Sequence, residues 1–252
     1  MANPPTATRS ATSALNADGL PGPVAPRRSR ADAARDNSRE RRKIIADLAA
    51  ELFNRDGYHQ TSMAQIAAAA GVAKPTLYHY FPSKGQILFF IHDQFMAVLL
   101  DGLRSHADRG LTPAQRLLET MIDILRLNET HPGHVRVFFE HFRELNAEEQ
   151  AAALPKRDYM FATVADIIRG GIEDGTFREV DPELAAFEIF GMCNWAYQWF
   201  RPGGPMDAKT VAERFWDNAA RGLLAENSSA RRPRRITPPG VEGADAAADH
   251  DR

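Results

Sequence analysis

Lys74, Pro75, Thr76, Tyr78, Tyr80 and Lys84 fall within eleven residues of one another, just behind Gly71. Their ammonium, hydroxyl and phenol groups donate hydrogen bonds, and the proline and threonine add small apolar contacts. Such a set suits recognition of an anionic, hydrogen-bonding surface. Two short helices must position it. One is predicted over 62–69 behind Thr61 and the other over 74–79, joined by the Ala70-Gly71-Val72 turn. Gly71 suits the left-handed conformation that a residue with a Cβ resists. Ile66, Ala67, Ala70, Val72 and Leu77 supply a small apolar seam for a close crossing. This is helix-turn-helix spacing, in which the second helix meets base edges in the DNA major groove and the first crosses the backbone.

Charge agrees with that reading only when it is resolved along the chain. The 252 residues carry a net charge of −2. The stretch 27–84 holds 11 Lys and Arg against 6 Asp and Glu, a balance of +5, which leaves −7 for the remainder. A basic segment joined to an acidic one fits a polyanion-binding module attached to something else, although a solvated basic face gives the same numbers. Arg41, Arg42 and Lys43 are candidates to track the DNA backbone.

The periodicity is helical wherever it is present, so the expected fold is all-α. Nine helices are predicted: the first over 38–54, the next two as above, and a fourth from Ser83 to about Arg109. Pro113 opens the fifth, Pro132 the sixth and Ala147 the seventh, with a kink or break expected at Pro155. Asp181-Pro182 opens the eighth, and the ninth runs over 207–225. Ser83 and Gln86 have capping-box spacing. The expected organisation is a disordered arm at 1–37, a helix-turn-helix domain at 38–84, a second helical domain at 85–226 and a disordered tail at 227–252. No run approaches the ~18–20 apolar residues of a membrane span, and the N-terminus lacks a secretory pattern. One cysteine, Cys193, provides no disulfide, so a cytoplasmic protein is expected.

The run TSMAQIAAAAGVAKPTLYHYFPSKGQIL resembles the DNA-binding signature of TetR-type transcriptional regulators, above all at Gly71-Val72, Thr76-Leu77-Tyr78, Tyr80-Phe81 and Ser83-Lys84. The resemblance implies a three-helix DNA-binding domain and a six-helix ligand-binding and dimerisation domain. It implies phosphate contacts from Thr61, Ser62, Tyr78, Tyr80 and Lys84, and base-edge contacts from Lys74, Pro75 and Thr76. Leu77 and Phe81 are expected to face the core. It further implies a homodimer on a near-palindromic double-stranded operator, built by the last two helices. Leu184, Phe187, Phe190, Gly191, Trp195 and Trp199, with Phe215, Trp216, Ala219, Ala220 and Leu223, are the candidate interface stripe. Ala73 stands where many relatives have a Ser or Thr cap, and Gly85 where an acidic residue is usual.

The stretches VRVFFEHFRELN, KRDY and GIEDGTFREVDPELAAFEIFGMCNWAYQWFRPGG resemble more loosely the TetR members that respond to acyl-CoA thioesters in fatty-acid or sterol breakdown. Phe138, Phe139, Phe142, Tyr159, Met160, Met192 and Trp195 are candidates to line an apolar cavity. Arg143, Arg157 and Arg201 are candidates to meet phosphate or carboxylate by forked hydrogen bonds. The alternative is ordinary core for the aromatics and helix capping or ion pairing for the arginines. The expected function is a dimeric transcriptional repressor whose operator affinity is lowered by a small apolar or acyl-CoA effector.

Two other regulators remain open, one responding to metal and one independent of ligand. His131, His134 and His141 cluster with Glu140 and Glu144, but no thiolate joins them and the spacing is poor for zinc. No Gly-x-Ser-x-Gly, His-Glu-x-x-His or phosphate loop occurs, so no enzyme and no cofactor are expected. Cys193 reads as a small buried residue.

Overall fold

The computed structural model describes residues 30–223. The expected N-terminal arm before residue 30 and the tail from Asn227, with its Ala-Arg-Arg-Pro-Arg-Arg run, lie outside the described residues. Regular elements among the described residues are helices: α1 (Arg30–Asp56), α2 (Met63–Ala69), α3 (Lys74–Tyr80), α4 (Lys84–Asp108), α5 (Pro113–Thr130), α6 (Pro132–Glu140), α7 (Ala147–Glu173), α8 (Pro182–Asn194) and α9 (Ala208–Leu223). Single 3-10 turns occur at Phe142–Glu144 and Trp195–Gln198. The chain divides into two compact units, 1–43 and 44–252, and of the first only the opening of α1 is described.

That opening departs from expectation. Helix α1 begins at Arg30 rather than at Ser38, within the segment expected to be disordered. Residues 30–37 lack a hydrophobic stripe, but Ala31, Ala33 and Ala34 have high intrinsic helix propensity, and Asp32 sits in the first turn where the helix dipole favours an anion. Propensity, not periodicity, makes this extension.

In the second unit the helices enclose two cores. The smaller joins Ile45, Ala49 and Phe53 of α1 to Ile66 of α2, Leu77 of α3 and Ile87, Leu88 and Ile91 of α4. Val137 of α6 and Leu145 close its far side. The larger core is made by the rest of α4 with α5, α7, α8 and α9, centred on Leu117, Met121, Leu125, Val164 and Ile168. Helix α4 therefore feeds both cores. By length and composition it is apolar enough to cross a membrane, contrary to the reading of the sequence by unbroken apolar runs, but half of its apolar window is buried inside this fold. A helix wrapped by neighbours needs little polar face.

Helix starts follow local chemistry. Ser62, Thr112 and Asn146 each form a full capping box with Gln65, Gln115 and Glu149. The box expected at Ser83 is half formed: Ser83 Oγ accepts from the Gln86 amide at 3.1 Å, but the Gln86 side chain donates to Glu149 Oε1 at 2.8 Å instead. Pro155 does not split α7, which continues through it as one element. The carbonyl it deprives of a partner belongs to Ala151, which is exposed to water.

Candidate nucleic-acid interface and effector cavity

The turn between α2 and α3 is held by Gly71 at φ +61°, and its Val72 amide donates to the Ala67 carbonyl at 3.0 Å. This fixes α3 with Leu77 buried and Phe81 beneath it, both at 0% exposure. The opposite side of α3 then presents Lys74, Pro75, Thr76, Tyr78 and His79 to solvent as one surface. Lys74 Nζ stands 6.0 Å from the Tyr78 ring, at the outer reach of a cation–π contact. Tyr80 is half-buried, packed against the smaller core. Ser62 is exposed at the α2 N-terminus, where its side chain caps the Gln65 amide at 3.2 Å. Tyr78 and Ser62 are thus both open to solvent.

Thr61 and Lys84 are placed differently from the expected phosphate contacts. Thr61 is 1% exposed, and its hydroxyl donates to the Gly57 carbonyl at 2.9 Å. The cap of α2 is its neighbour Ser62, which the S-x-x-Q spacing to Gln65 could have identified. Lys84 turns inward. Its Nζ donates to the carbonyls of Tyr58 at 2.6 Å and Thr61 at 3.0 Å, and stands 4.3 Å from the Tyr58 ring. Desolvation lowers the Lys84 pKa, opposed by nearby Glu144. Burial beside Glu144 and Glu149 pushes the Tyr58 phenol up to about 12, so it stays neutral.

A cavity of about 320 Å³ is walled by α4, α5, α6, α7 and α8. Phe95, Phe138 and Phe139 form one aromatic wall, with Phe95 stacked on Phe138 at 4.2 Å between centroids. Phe161, Phe187 and Phe190 form another, and Arg157 and Asp158 supply charge at its edge. Of the expected lining, Phe138, Phe139, Met160 and Arg157 come together here. Phe142 stays outside, covered by the Arg157 guanidinium at 4.9 Å. Arg143 and Tyr159 point to solvent, as does Trp195 at 63% exposure. Met192 borders a different groove. Phe95, Met96 and Leu99 of α4 were missed, because an apolar stripe on a long helix reads as core whether it faces a neighbour or a void.

That second groove, of about 670 Å³, runs between α8 and α9 and is bordered by Leu184, Glu188, Gly191, Met192, Asn218 and Gly222. Leu184, Phe187 and Trp195 are each more than half exposed and recur at helical spacing on α8 and its continuation. The expected interface stripe therefore divides. Ala220 and Leu223 are buried within their own chain, Phe190 lines the cavity, Phe187 borders that cavity while 61% exposed, and Leu184, Gly191, Trp195 and Trp199 remain outside.

Residues 45–89 match the bacterial regulatory proteins of the tetR family, and residues 110–223 match the tetracyclin repressor-like C-terminal domain. The structure of PfmR, a TetR family regulator from Thermus thermophilus, superposes with a TM-score of 0.67 at 34% identity, covering 72% of this chain and 99% of PfmR. The chain belongs to the TetR family. Among TetR relatives, the transcriptional repressor KstR2 of Rhodococcus jostii (strain RHA1) is 29% identical over 191 residues, 75% of this chain and 93% of KstR2. The TetR-fold structure of AibR in complex with isovaleryl coenzyme A and operator DNA aligns with a TM-score of 0.64 at 28% identity, covering 71% of this chain and 97% of AibR.

The two departures from the TetR pattern have different structural meanings. Ala73 occupies the N-cap of α3 in extended conformation and makes no side-chain cap, so that helix starts with one amide fewer satisfied. Gly85 leaves room for a carboxylate from elsewhere. A Cβ at that position would stand 3.3 Å from Glu149 Oε2, and Glu149 is buried with its other oxygen on Gln86. The carboxylate beside the start of α4 comes from α7.

The histidines weighed as a metal set do not converge. His134 Nε2 lies 2.9 Å from Asp47 of α1, and burial lowers its pKa against that carboxylate's pull. The His141 ring instead faces Tyr58 at 5.5 Å. Among the described residues no group of three His, Cys, Asp or Glu side chains is arranged to hold a metal ion. Cys193 is buried, and desolvation pushes its thiol up to about 12, which suits a packing role.

Proposed function

We propose that this TetR-family regulator is a homodimeric repressor in the cytoplasm whose affinity for a near-palindromic operator is lowered by an apolar or acyl-CoA effector. The observation that carries the proposal is the aromatic cavity on α4, the helix whose first residue also fastens the turn before α2. The AibR structure, which holds both isovaleryl coenzyme A and operator DNA, supports the same assignment of roles.

DNA recognition falls to residues 38–84, with Lys74, Pro75 and Thr76 at base edges and Ser62, Tyr78 and Tyr80 at phosphates. Thr61 and Lys84 act as positioning residues. Effector binding and dimerisation fall to residues 85–226, through the cavity and through the exposed face of α8 with α9. A two-fold pair places its recognition helices about 34–36 Å apart, one turn of DNA. An effector that prefers the conformation with the wrong spacing lowers operator affinity by the difference in its own affinity for the two states.

Binding of the full chain to its own promoter DNA, titrated with fatty acids, acyl-CoA thioesters and CoA alone, tests this function. Release by the thioesters but not by CoA supports it. Specific DNA binding that none of them alters removes the effector assignment, and a monomer by sedimentation or light scattering removes the dimer.

A further inference from the structure

Both ring nitrogens of His92 are buried and lack a hydrogen-bond partner, and the side chain is 1% exposed. A buried polar group left unsatisfied costs about 1–3 kcal/mol, so a leucine or phenylalanine would serve packing better at this place. The ring sits between Phe138, at 4.6 Å, and Phe142, at 5.5 Å. It borders a void of about 10 Å³ that is also lined by Met96, Phe138 and Arg157. Those three residues line the large cavity as well, so the void lies against the cavity wall, one side chain away from it. Its volume is about that of one probe sphere, enough for a single polar atom.

The charged groups around the ring come from three directions. Lys156 and Asp93 pair with each other across α7 and α4, Arg157 lines both spaces, and His141 follows α6. Burial first, then Arg157 and His141, keep the imidazole neutral, with one N–H to donate and one nitrogen to accept. The pocket thus offers a neutral donor between an apolar cavity and a guanidinium. A thioester has that order: apolar chain, uncharged carbonyl, then a phosphate-bearing carrier.

We propose that His92 is an effector-binding residue, donating a hydrogen bond to the thioester carbonyl oxygen of an acyl-CoA whose chain fills the aromatic cavity and whose anionic part faces Arg157. This rests on the acyl-CoA reading of the proposed function. No residue of the family resemblance pointed to it, and its sign in the structure is the pair of unsatisfied nitrogens.

The test compares acyl-CoA thioesters of four, eight and twelve carbons with the matching S-alkyl-CoA thioethers, which lack only the carbonyl. Calorimetric affinity and operator release are measured on the full chain, for wild type, His92→Phe and His92→Gln, using the chain length that binds wild type best. Wild type is expected to prefer the thioester roughly tenfold, the size of one buried hydrogen bond. His92→Phe loses that preference while still binding the thioether, which also reports that it is folded, and His92→Gln recovers part of it. Equal affinity for thioester and thioether in wild type, or an undiminished preference in His92→Phe, overturns the role of His92 and leaves the acyl-CoA function standing if the thioester still releases DNA. Failure of every thioester to bind overturns both.

Discussion

Lys84 Nζ reaches back across the head to the carbonyl oxygen of Tyr58, 2.6 Å away, so the first residue of α4 closes the turn between α1 and α2. An ammonium shared among backbone carbonyls is a fastener. Lys84→Met removes charge-assisted hydrogen bonds and leaves those carbonyls without their donor, which should cost about 2 kcal/mol of stability. The operator affinity of this variant should fall alike for all sequences, because the whole recognition surface loosens. Urea unfolding, with operator and scrambled DNA compared side by side, measures both effects. Unchanged stability with weakened DNA binding would instead return Lys84 to a direct phosphate contact.

The exposed start of α3 predicts a different pattern. Lys74→Ala and Thr76→Ala each remove a group proposed to meet a base edge, and each should cost about 1–3 kcal/mol on the operator while relaxing the preferred base at one position. Stability should hardly move, since both side chains are solvent-exposed. Binding to a library of single-base operator variants reads the change. Retention of the full preference in both variants would place sequence reading elsewhere.

Acid should destabilise the protein through its buried histidines. The His92 pKa is pushed down to about 3, with burial the main cause and Arg157 and His141 adding to it. Above the unfolded value of about 6.5 both states are neutral and His92 gives no pH dependence. As pH falls from there towards 3, the unfolded chain takes up the proton and the folded one does not, so stability declines by about 2 kcal/mol by pH 5 from this group. His134 and His141, also lowered by burial, act in the same direction. Unfolding free energies at pH 7.5 and 5 measure the slope, which should be shallower in His92→Phe.

The two departures from the family pattern give opposite predictions. Ala73→Ser restores a cap to the extended residue before α3 and should add about 1 kcal/mol. Gly85→Glu, although it restores the acidic residue usual in relatives, brings a second carboxylate against buried Glu149 and should destabilise. Thermal melting of the two variants decides each sign.

The fold was legible in the sequence because most elements carried a local start signal beside an apolar face: Asp181-Pro182 before α8 and the Gly71 turn before α3 are local facts. Helix α1 was misjudged at its start because alanine propensity leaves no periodic trace. The cavity was half legible. Phe138, Phe139 and Arg157 were marked by the density of aromatics and arginines, whereas Phe95 and Phe187 lie in helices whose faces are assigned only by packing. The direction of the Thr61 and Lys84 side chains was not legible at all: family position marks such residues, but only packing shows that in this chain both bond to carbonyls of the turn between α1 and α2.

Helix α6 is only nine residues long, yet it touches both halves of the protein's task. At its start Gly133 approaches the Ala50 backbone of α1 and His134 holds Asp47, while Phe138 and Phe139 form part of the cavity wall. From His134 to Phe138 is four residues, about 6 Å of helix. Under the proposed function, this one short helix joins the cavity wall to α1 directly, with no relay of many side chains between them.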